Sequence, residues 1–547
     1  MFRNNAIGVS TSIACALLGV GMACASAADS PAAPAVAVSP AALPRIATVD
    51  ARYQSYNVEM AEVIGGNFWK PYDAASITTM NAKAAAASAK DSVSSGVAGE
   101  DPAMFQKRPP VDLTNPRLRK LAAALGPAYM RTSGTWANTV YVDDQGGAAP
   151  ATAPKGFQGV LTRAEWKGVI DFARAVDARL VTSFAVSAGV RDAQGVWTPD
   201  QAKVFLALTK SLGGHVAAAE FFNEPDMPTY GGAPAGYSAA DYARDFAVFR
   251  TFAKQAAPDM RIVGPGSVGE GVLMPKMGGA GLAAGLVKTE DMLTATPRPM
   301  FDIFSYHFYG AASLRCAAMG AGAQTTPAAA LSEEWLARTE TSYAYYVKGL
   351  RDRYEPGEPV WITETADAAC GGNPWAATFL DSFRYLDQMG RLARHGVKVI
   401  FHNTLASSEY GLLDQNTFEP RPNYWAALLW HRLMGTTVLD AGPSRPGLHL
   451  YAQCLPGHPG GVTLLAINNS RSQSASVELP LAAQRYTLSA AKLQDRRVQL
   501  NGHALALGSD DALPPLQGAP VTAGRIALAP ATISFLAMAD AENPACQ

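Results

Sequence analysis

The chain has 547 residues, of which 48% are hydrophobic and 17% charged, a balance that is typical of globular proteins and excludes a disordered chain. This length exceeds one average domain, so we expect two domains. The formal net charge is −1 and no dense run of Lys or Arg occurs, which argues against a protein that binds nucleic acid or another polyanion through a broad basic surface. A substrate with a single carboxylate is still compatible with this composition.

The N-terminal 45 residues predict an export signal and a linker. Arg3 precedes a largely apolar run over residues 7–22, and small residues follow, so residues 1–28 are predicted to be a signal peptide. The apolar run is too short for a membrane span. A lipoprotein signal at Cys24 is disfavoured because Gly21 stands where a large aliphatic residue is usual. Residues 29–45, rich in Ala and Pro, predict a flexible segment, and we expect a secreted or periplasmic protein.

Eight short apolar runs alternate with helical patterns between residues 56 and 436. The runs lie at 58–60, 128–131, 180–186, 217–222, 261–263, 301–308, 359–363 and 397–403. Between them, Trp166, Val169 and Ile170 fall on one helical face, and Gly396 is placed to end a later helix. Eight β/α units in series predict an α/β fold, a (β/α)8 TIM barrel, whose chemistry lies at the carboxyl ends of the strands.

The pattern changes after residue 436. Short strand-like runs occur there at 448–452, 462–467, 475–479, 486–488 and 533–538. Turn residues such as Pro456-Gly457 lie between or beside them, and long helical patterns are lacking. Residues 437–547 are therefore predicted to form a β-sandwich domain. Residues 46–55, which lie directly before the barrel, are predicted to join this β-sandwich as an edge strand.

Two glutamates stand at the ends of predicted strands four and seven. Glu224 lies in the segment FFNEP, where the proline disfavours a helical conformation for the preceding residue, and Glu364 lies in VWITET. Strands four and seven lie on opposite sides of the mouth of an eight-stranded barrel, so the two carboxylates can flank one bond. Glycoside hydrolysis needs a carboxylic acid that protonates the leaving oxygen and a carboxylate that supports or attacks the anomeric carbon. The competing interpretation of each glutamate is a salt bridge or a solvated loop charge.

Further motifs give the chain a resemblance to a known family. Asn-Glu-Pro after strand four and a Glu after strand seven resemble clan-A glycoside hydrolases, and finer features resemble family 79, the heparanase and β-glucuronidase family. The matching segments are GPAYMRTSGT, FFNEPD, SYHFYG, PVWITETADAACGGNPW, GVKVIFHNTLASSEYGLLD and PRPNYWAALLW, followed by LHLYAQC, VQLNGHAL, LPPL and NPACQ. The resemblance runs from about residue 46 to the end and keeps the motif order.

The resemblance implies a retaining mechanism in which Glu224 is the general acid/base and Glu364 the nucleophile. Asn223 would bind the sugar 2-hydroxyl, a contact that strengthens in the transition state. Tyr309 and Arg131 would orient the nucleophile and keep it charged. The simpler interpretation of Tyr309 is an aromatic residue at the barrel mouth.

The resemblance also implies a pocket for a uronic acid. Gly371 and Gly372, which can bring backbone N–H groups close to an anion, would bind the uronate carboxylate together with the Tyr410 hydroxyl. Glu59 would contact sugar hydroxyls, and His307 would line the pocket. The simpler interpretations are a flexible turn for the two glycines and a packed, hydrogen-bonded side chain for the histidine. The expected substrate is an oligo- or polysaccharide that contains β-linked glucuronic acid.

Four cysteines remain after the signal, and they allow three disulfide pairings. The resemblance implies a bridge between Cys454 and Cys546 in the terminal domain. Cys316 and Cys370 follow strands six and seven, so we hypothesise a bridge across the barrel mouth, which departs from the heparanase pattern. No CxxC or clustered Cys/His spacing occurs, and we expect no metal or other cofactor.

Three functional alternatives stay open. The chain is an exo-acting β-glucuronidase, an endo-β-glucuronidase, or a catalytically inactive carbohydrate-binding protein; retention of both Glu224 and Glu364 argues against the last. The stretch 143–159 carries a single lysine, Lys155, whereas animal heparanase has an excised linker and basic clusters there. We therefore expect a single-chain monomer, and strong specificity for heparan sulfate does not follow from the sequence.

Overall fold

The computed structural model describes residues 34–88, 104–146, 150, 152–276 and 285–547. The predicted signal peptide, residues 1–28, lies outside the described residues, as does the beginning of the predicted flexible segment.

Eight parallel strands close into a barrel in which each strand pairs with the next along the chain and the last pairs with the first. The strands are Gln54–Asn57, Ala128–Thr132, Ala178–Thr182, Val216–Glu220, Arg261–Val268, Ile303–Ala312, Val360–Ala369 and Val399–His402. The predicted TIM barrel is thus confirmed. The first strand lies earlier than predicted: Val58–Met60 follows the strand and leads into a helix.

Helices surround the barrel and connect its strands. They are Met60–Ile64, Ala74–Ser88, Pro116–Ala123, Arg163–Ala175, Asp200–Ser211, Ala239–Ala256, Thr289–Thr294, Glu333–Tyr343 with its continuation to Tyr354, Phe379–Arg394 and Pro422–Leu433. The helix Arg163–Ala175 buries Trp166, Val169 and Ile170, as predicted, and begins at a capping box of Thr162 and Glu165. Gly396, at φ 73°, follows the end of Phe379–Arg394.

A second domain is built from two antiparallel-rich sheets. The larger contains Arg45–Thr48, Thr437–Leu439, His449–Cys454, Val462–Asn468, Thr532–Met538, Ala483–Ser489, Gln499–Leu500, His503–Ala504 and Ala519–Val521, and the smaller contains Val36–Ala37, Ala475–Leu479 and Gly524–Leu528. Apolar side chains of both sheets, such as Leu464 and Val477, share one core, which makes the domain a β-sandwich. A disulfide between Cys454 and Cys546 closes it across 92 residues, as the family resemblance implied.

The predicted flexible segment is wrong over residues 34–45. Val36–Ala37 pairs with Ala475–Leu479, and the Asn543 side-chain amide donates to the carbonyls of Pro40 and Leu43 at 2.7 and 2.9 Å. An Ala/Pro-rich composition resembles a linker, but pairing with the sandwich fixes this backbone. Of the next stretch, residues 46–55, only residues 46–48 join the sandwich, as part of the strand Arg45–Thr48, since Gln54–Asn57 belongs to the barrel.

The barrel interior is closed below its mouth by a layer of apolar side chains. Tyr129, Val181, Trp361 and Phe401 contribute to this layer. Polar side chains that point into the barrel nearer the carboxyl ends of the strands therefore face a cavity with a solid floor. In the described part of the chain, no helix combines the length and the apolar character needed to cross a bilayer.

Candidate active site

A cavity of about 510 Å³ opens at the carboxyl ends of the barrel strands, which is within the usual size of ligand pockets. Five of the predicted site residues line it: Glu59, Glu224, Tyr309, Glu364 and Tyr410. A much smaller apolar void near Trp197 holds about 20 Å³ and is lined by none of them. The chemistry of the molecule therefore concentrates in the larger cavity.

Glu224 follows the fourth strand and carries its carboxylate to the cavity. Its backbone adopts a left-handed conformation, with φ 51°, which is uncommon outside glycine and typical of functional turns. Its side chain is 18% exposed, and one oxygen lies 3.0 Å from His307 Nδ1. Burial raises the pKa of Glu224, although the hydrogen bond from His307 opposes this shift. Glu224 is thus suited to hold a proton.

Glu364, in the seventh strand, is surrounded by hydrogen-bond donors. The Tyr309 hydroxyl donates to one oxygen at 2.5 Å, and the Asn403 amide donates to the same oxygen at 3.3 Å. The Arg131 guanidinium donates to the other oxygen at 3.0 Å. A carboxylate that accepts hydrogen bonds from three donors is held in one orientation.

The two glutamates and His307 meet at one point of the cavity. One carboxylate oxygen of each glutamate and a ring nitrogen of the histidine all lie within 4.8 Å of one another. Such a triplet is compatible with a cation, but Arg131 already supplies positive charge to Glu364. Burial alone would lower the pKa of His307, but the Glu364 charge, the Glu220 carboxylate 3.9 Å away and the hydrogen bond to Glu224 raise it to about 10, so its ring has no free lone pair at neutral pH. The arrangement suits a reacting carboxylate pair better than a metal centre.

Glu220 is a site residue that the sequence prediction missed. It ends the fourth strand, is 1% exposed and accepts two hydrogen bonds from Arg131 at 2.7 and 3.0 Å. Burial would raise the pKa of Glu220, but the Arg131 charge and the nearby His307 cation, 3.9 Å away, lower it to about 2. Arg131 also donates to the Asn223 side chain at 2.7 Å. Arg131 therefore connects Asn223, Glu220 and Glu364 in one buried hydrogen-bond network.

Asn403, at the end of the eighth strand, is the second residue that was missed. Its side-chain amide nitrogen, which carries two protons, lies within hydrogen-bond distance of Glu59 at 3.0 Å, of the Tyr309 hydroxyl at 2.9 Å and of the Tyr410 hydroxyl at 3.2 Å. Burial and the Glu364 charge raise the pKa of Glu59 to about 7. Asn403 thus connects Glu59, the predicted sugar-binding residue, with Tyr309, Tyr410 and Glu364.

The turn after the seventh strand has three successive residues in the left-handed region, Cys370, Gly371 and Gly372, with φ of 65°, 78° and 82°. A Cβ on Gly371 would lie 2.7 Å from the Trp69 ring, and one on Gly372 would lie 3.1 Å from Tyr410. Only glycine fits such close approaches without displacing a neighbour. The structure therefore brings the two glycines and Tyr410 together, with Tyr410 and Cys370 on the cavity wall.

A buried arginine holds this turn from behind. Arg315 donates to the carbonyls of Cys370 and Gly372, both at 3.2 Å, and to Glu409 at 2.5 Å. Its guanidinium stacks on Tyr72 at 3.9 Å, and the Tyr72 hydroxyl donates to the Gly372 carbonyl at 3.1 Å.

The carbonyl of Gly371 accepts from the backbone N–H of Glu409 at 3.2 Å. The hypothesised disulfide between Cys316 and Cys370 is present and links this turn to the segment after strand six. All three carbonyls of residues 370–372 are thus bound by the protein.

Comparison with known proteins identifies the family of the chain. The chain is 30% identical to heparanase-like protein 1 of Arabidopsis thaliana over 396 residues, which is 68% of this chain and 67% of that protein. The chain belongs to glycoside hydrolase family 79, the heparanase-like family. This family-79 chain is also 26% identical to the hyaluronoglucuronidase of Hirudo nipponia over 481 residues, or 80% of this chain and 92% of the relative.

No family model matches the family-79 chain. Among solved structures, it resembles a 4-O-α-L-rhamnosyl-β-D-glucuronidase from Fusarium oxysporum with a TM-score of 0.59 and 13% identity, over 92% of this chain and 99% of that one. At this identity the likeness shows the fold alone, and it agrees with the barrel and sandwich described above.

Proposed function

We propose that the chain is a retaining β-glucuronidase in which Glu224 is the general acid/base and Glu364 the nucleophile. The observation that carries this proposal is the meeting of the two carboxylates in one cavity, with oxygens within 4.8 Å of each other. Retaining enzymes place the two carboxyl groups about 5–5.5 Å apart, whereas inverting enzymes need about 6.5–9.5 Å to admit a water molecule. The short separation supports retention.

The surroundings of the two glutamates support their separate roles. In the first step, Glu364 attacks the anomeric carbon while Glu224 gives its proton to the departing oxygen. In the second step, Glu224 takes a proton from the water that releases the sugar from Glu364. The raised pKa of Glu224 favours its protonated form at the start of the reaction, and the donors around Glu364 hold its carboxylate in one orientation for the attack.

The turn at residues 370–372 supports a uronic acid as the bound sugar. Because the protein binds all three carbonyls of this turn, its backbone N–H groups are the part that an anion can use. The Tyr410 hydroxyl lies beside Gly372 on the cavity wall. The relatives named heparanase-like protein 1 and hyaluronoglucuronidase agree with a glycan that contains glucuronic acid as substrate.

We also propose that the protein works as a monomer in the periplasm or outside the cell. The two disulfides support this location, since such bridges persist in oxidising compartments. The predicted signal peptide would direct the export.

The test is an assay of purified protein on 4-nitrophenyl β-glucuronide and on the matching β-glucoside, with proton NMR of the first-formed product. We expect turnover of the glucuronide, release of β-configured glucuronic acid, and loss of at least roughly 1,000-fold in kcat for Glu364→Gln. Glu478→Gln, at an exposed site in the sandwich, is the control and should leave turnover unchanged.

Two outcomes contradict the proposal. An α-configured product would show inversion, and undiminished hydrolysis by Glu364→Gln would remove this residue from the mechanism. Sugar binding without turnover of any glucuronide would favour the competing hypothesis of a carbohydrate-binding protein without activity. The product lengths from an unsulfated glucuronic acid polymer separate endo from exo cleavage.

A further inference from the structure

A buried aspartate behind the turn at residues 370–372 has no role in the proposed mechanism. Asp367 lies in the strand Val360–Ala369, the same strand as Glu364, and its side chain is fully buried. One carboxylate oxygen accepts a hydrogen bond from the backbone N–H of Asn373 at 3.0 Å. The other oxygen lies 3.1 Å from the position that a Cβ on Gly372 would take. The Asp367 carboxylate thus packs directly against the turn that is proposed to bind the uronate.

The other charged side chains around this turn are paired with one another. Asp381 accepts two hydrogen bonds from Arg384 at 2.6 and 2.7 Å, and Arg315 pairs with Glu409 at 2.5 Å. In the described part of the chain, the second oxygen of Asp367 has no hydrogen-bond partner. An ionised Asp367 is therefore a buried charge without a directly bound cation among these residues, and such a charge is costly.

A substrate carboxylate at the turn places a second negative charge close to Asp367. Gly371 and Gly372 would hold that carboxylate on one side of the turn, and Asp367 lies against the other. Because Asp367 is buried, water screens the repulsion between the two charges only weakly. Protonation of Asp367 removes the repulsion, and the carboxyl group can still accept the hydrogen bond from Asn373. Substrate binding and protonation therefore favour each other, since such coupling is reciprocal.

We propose that Asp367 is a specificity-determining residue that makes binding of the uronate carboxylate depend on the uptake of a proton. The inference rests on the proposed function, because it takes the turn at residues 370–372 as the carboxylate-binding element. A β-glucoside lacks the carboxylate, so its binding does not depend on the charge of Asp367 in this way. The preference for glucuronides over glucosides is therefore larger in acidic than in alkaline solution.

The pKa of Asp367 sets the pH at which this preference changes. Burial and the Asp381 charge raise the pKa of Asp367 to about 7, although the Arg384 charge and the hydrogen bond from Asn373 oppose the shift. A bound uronate raises this pKa further. The affinity for a glucuronide is therefore highest below pH 7 and falls as the pH rises above that value.

The remaining titratable neighbours of the turn are kept uncharged by burial. Burial raises the pKa of Tyr72 to about 12 and lifts the pKa values of Tyr385 and Tyr410 above their ordinary range. It lowers the pKa of His402, whose ring nitrogen lies 2.7 Å from the Tyr410 carbonyl, to about 3. Of these neighbours and Asp367, only Asp367 changes its charge near neutral pH.

The test measures binding of phenyl 1-thio-β-D-glucuronide, which resists hydrolysis, and of the matching thioglucoside by isothermal titration calorimetry between about pH 5.5 and 8.5. For the unaltered protein we expect the ratio of the two dissociation constants to favour the glucuronide by roughly 3- to 10-fold more at the acid end. In buffers of different ionisation enthalpy, the glucuronide should take up more protons than the glucoside, by up to about one per molecule. Glu59, whose pKa is also about 7, is predicted to contact hydroxyls that both ligands carry, so the comparison cancels its contribution.

Asp367→Asn should remove both effects, since its side-chain oxygen can still accept the hydrogen bond from Asn373 but the charge is gone. Asp226→Asn is the matched control. Asp226 is also fully buried, accepts a backbone hydrogen bond from Val268 at 3.0 Å and has a second oxygen without a partner among the described residues. It follows strand four and not the turn, so its replacement should leave the pH dependence of the ratio unchanged.

Three results would overturn the inference: a ratio that does not change with pH in the unaltered protein, a change that persists in Asp367→Asn, or equal weakening of both ligands at every pH in that variant. The proton uptake of the unaltered protein decides the question even where Asp367→Asn does not fold. Absence of glucuronide binding and turnover by the unaltered protein at every pH would instead contradict the proposed function itself, so the two failures are distinguishable.

Discussion

His307 stands between the proposed acid/base and the proposed nucleophile, and its charge affects both. Its Nδ1 lies 3.0 Å from Glu224 and 3.8 Å from Glu364. With its pKa raised to about 10, the ring is a cation at neutral pH. This cation opposes the rise that burial imposes on the pKa of Glu224.

Replacing His307 by Gln should therefore move the pH profile of the enzyme. Loss of the positive charge lets the pKa of Glu224 rise further, and the acid keeps its proton to higher pH. The alkaline limb of kcat/KM on a chromogenic glucuronide, which reports loss of that proton in the free enzyme, should shift upward. His215→Gln, at an exposed position, should leave the limb in place. An alkaline limb that stays or moves to lower pH in His307→Gln would contradict this account.

At the residue scale, sequence motifs pointed to the two proposed reacting groups but not to the side chains that hold them in place. Glu224 and Glu364 stand out because a strand-end glutamate in a recognisable motif has few other interpretations. Glu220 and Asn403 lack such a signal: each is a single polar residue at a strand end, and its partners are up to 344 positions away. Only the closure of the barrel brings Glu220 to Arg131 and Asn403 to Glu59.

At the element scale, the turn after the seventh strand depends on the Arg315 guanidinium. The planar guanidinium donates at the same time to the carbonyls of Cys370 and Gly372 and to the Glu409 carboxylate. A lysine ammonium cannot reproduce this geometry. Arg315→Lys keeps the positive charge but removes the hydrogen bonds that hold the turn in place. We expect a fall of roughly 10-fold or more in kcat/KM on a β-glucuronide and a smaller fall on a β-glucoside, measured together with the melting temperature. Equal falls on both substrates would show a general loss of structure and not of carboxylate recognition.

The elements themselves were largely predictable, and the exceptions have physical causes. Seven of the eight barrel strands overlap their predicted runs because buried parallel strands are apolar on both faces. The first strand, Gln54–Asn57, is buried but polar in sequence, so no apolar run marks it. Glu59 belongs instead to a capping box with Glu62 at the start of the next helix, a signal that the strand interpretation of Val58–Met60 overlooked.

At the scale of the whole molecule, the barrel and the sandwich meet at the helix Phe379–Arg394. Gly390 in this helix is so close to the sandwich that a Cβ would lie 2.3 Å from the Tyr451 ring. Gly390→Ala should destabilise the protein by about 1–3 kcal/mol through overpacking, although alanine favours helices. Gly168→Ala, in a helix where a Cβ would meet nothing within 4 Å, is the control and should stabilise by up to about 1 kcal/mol. If thermal unfolding showed the same change in stability for Gly390→Ala and Gly168→Ala, the close contact between Gly390 and Tyr451 would be ruled out.

A buried ionic network crosses the same interface. His449 of the sandwich lies 2.5 Å from Asp387 in that helix and 2.8 Å from Glu333 in the helix Glu333–Tyr343. The Tyr451 hydroxyl and Arg391 also donate to Asp387, each at 2.6 Å. Burial alone would lower the pKa of His449, but the Asp387 charge and the hydrogen bonds to Asp387 and Glu333 raise it to about 9. The protonated histidine therefore stabilises the contact between the two domains.

Because the pKa of His449 is raised in the folded protein, its contribution to folding stability depends on pH. Because the folded pKa of His449 exceeds its unfolded value of about 6.5, its contribution is complete below pH 6.5 and is lost as the pH rises through about 9. On the acid side, burial would raise the pKa of Asp387 but the His449 charge lowers it, so the pair persists to a pH below the ordinary carboxyl range. His449→Gln should thus cost up to about 3 kcal/mol at pH 6 and much less at pH 10, measured by thermal unfolding beside an exposed control, His503→Gln. A penalty that is constant with pH, or that grows toward pH 10, would mean that His449 joins the domains through packing and not through its charge.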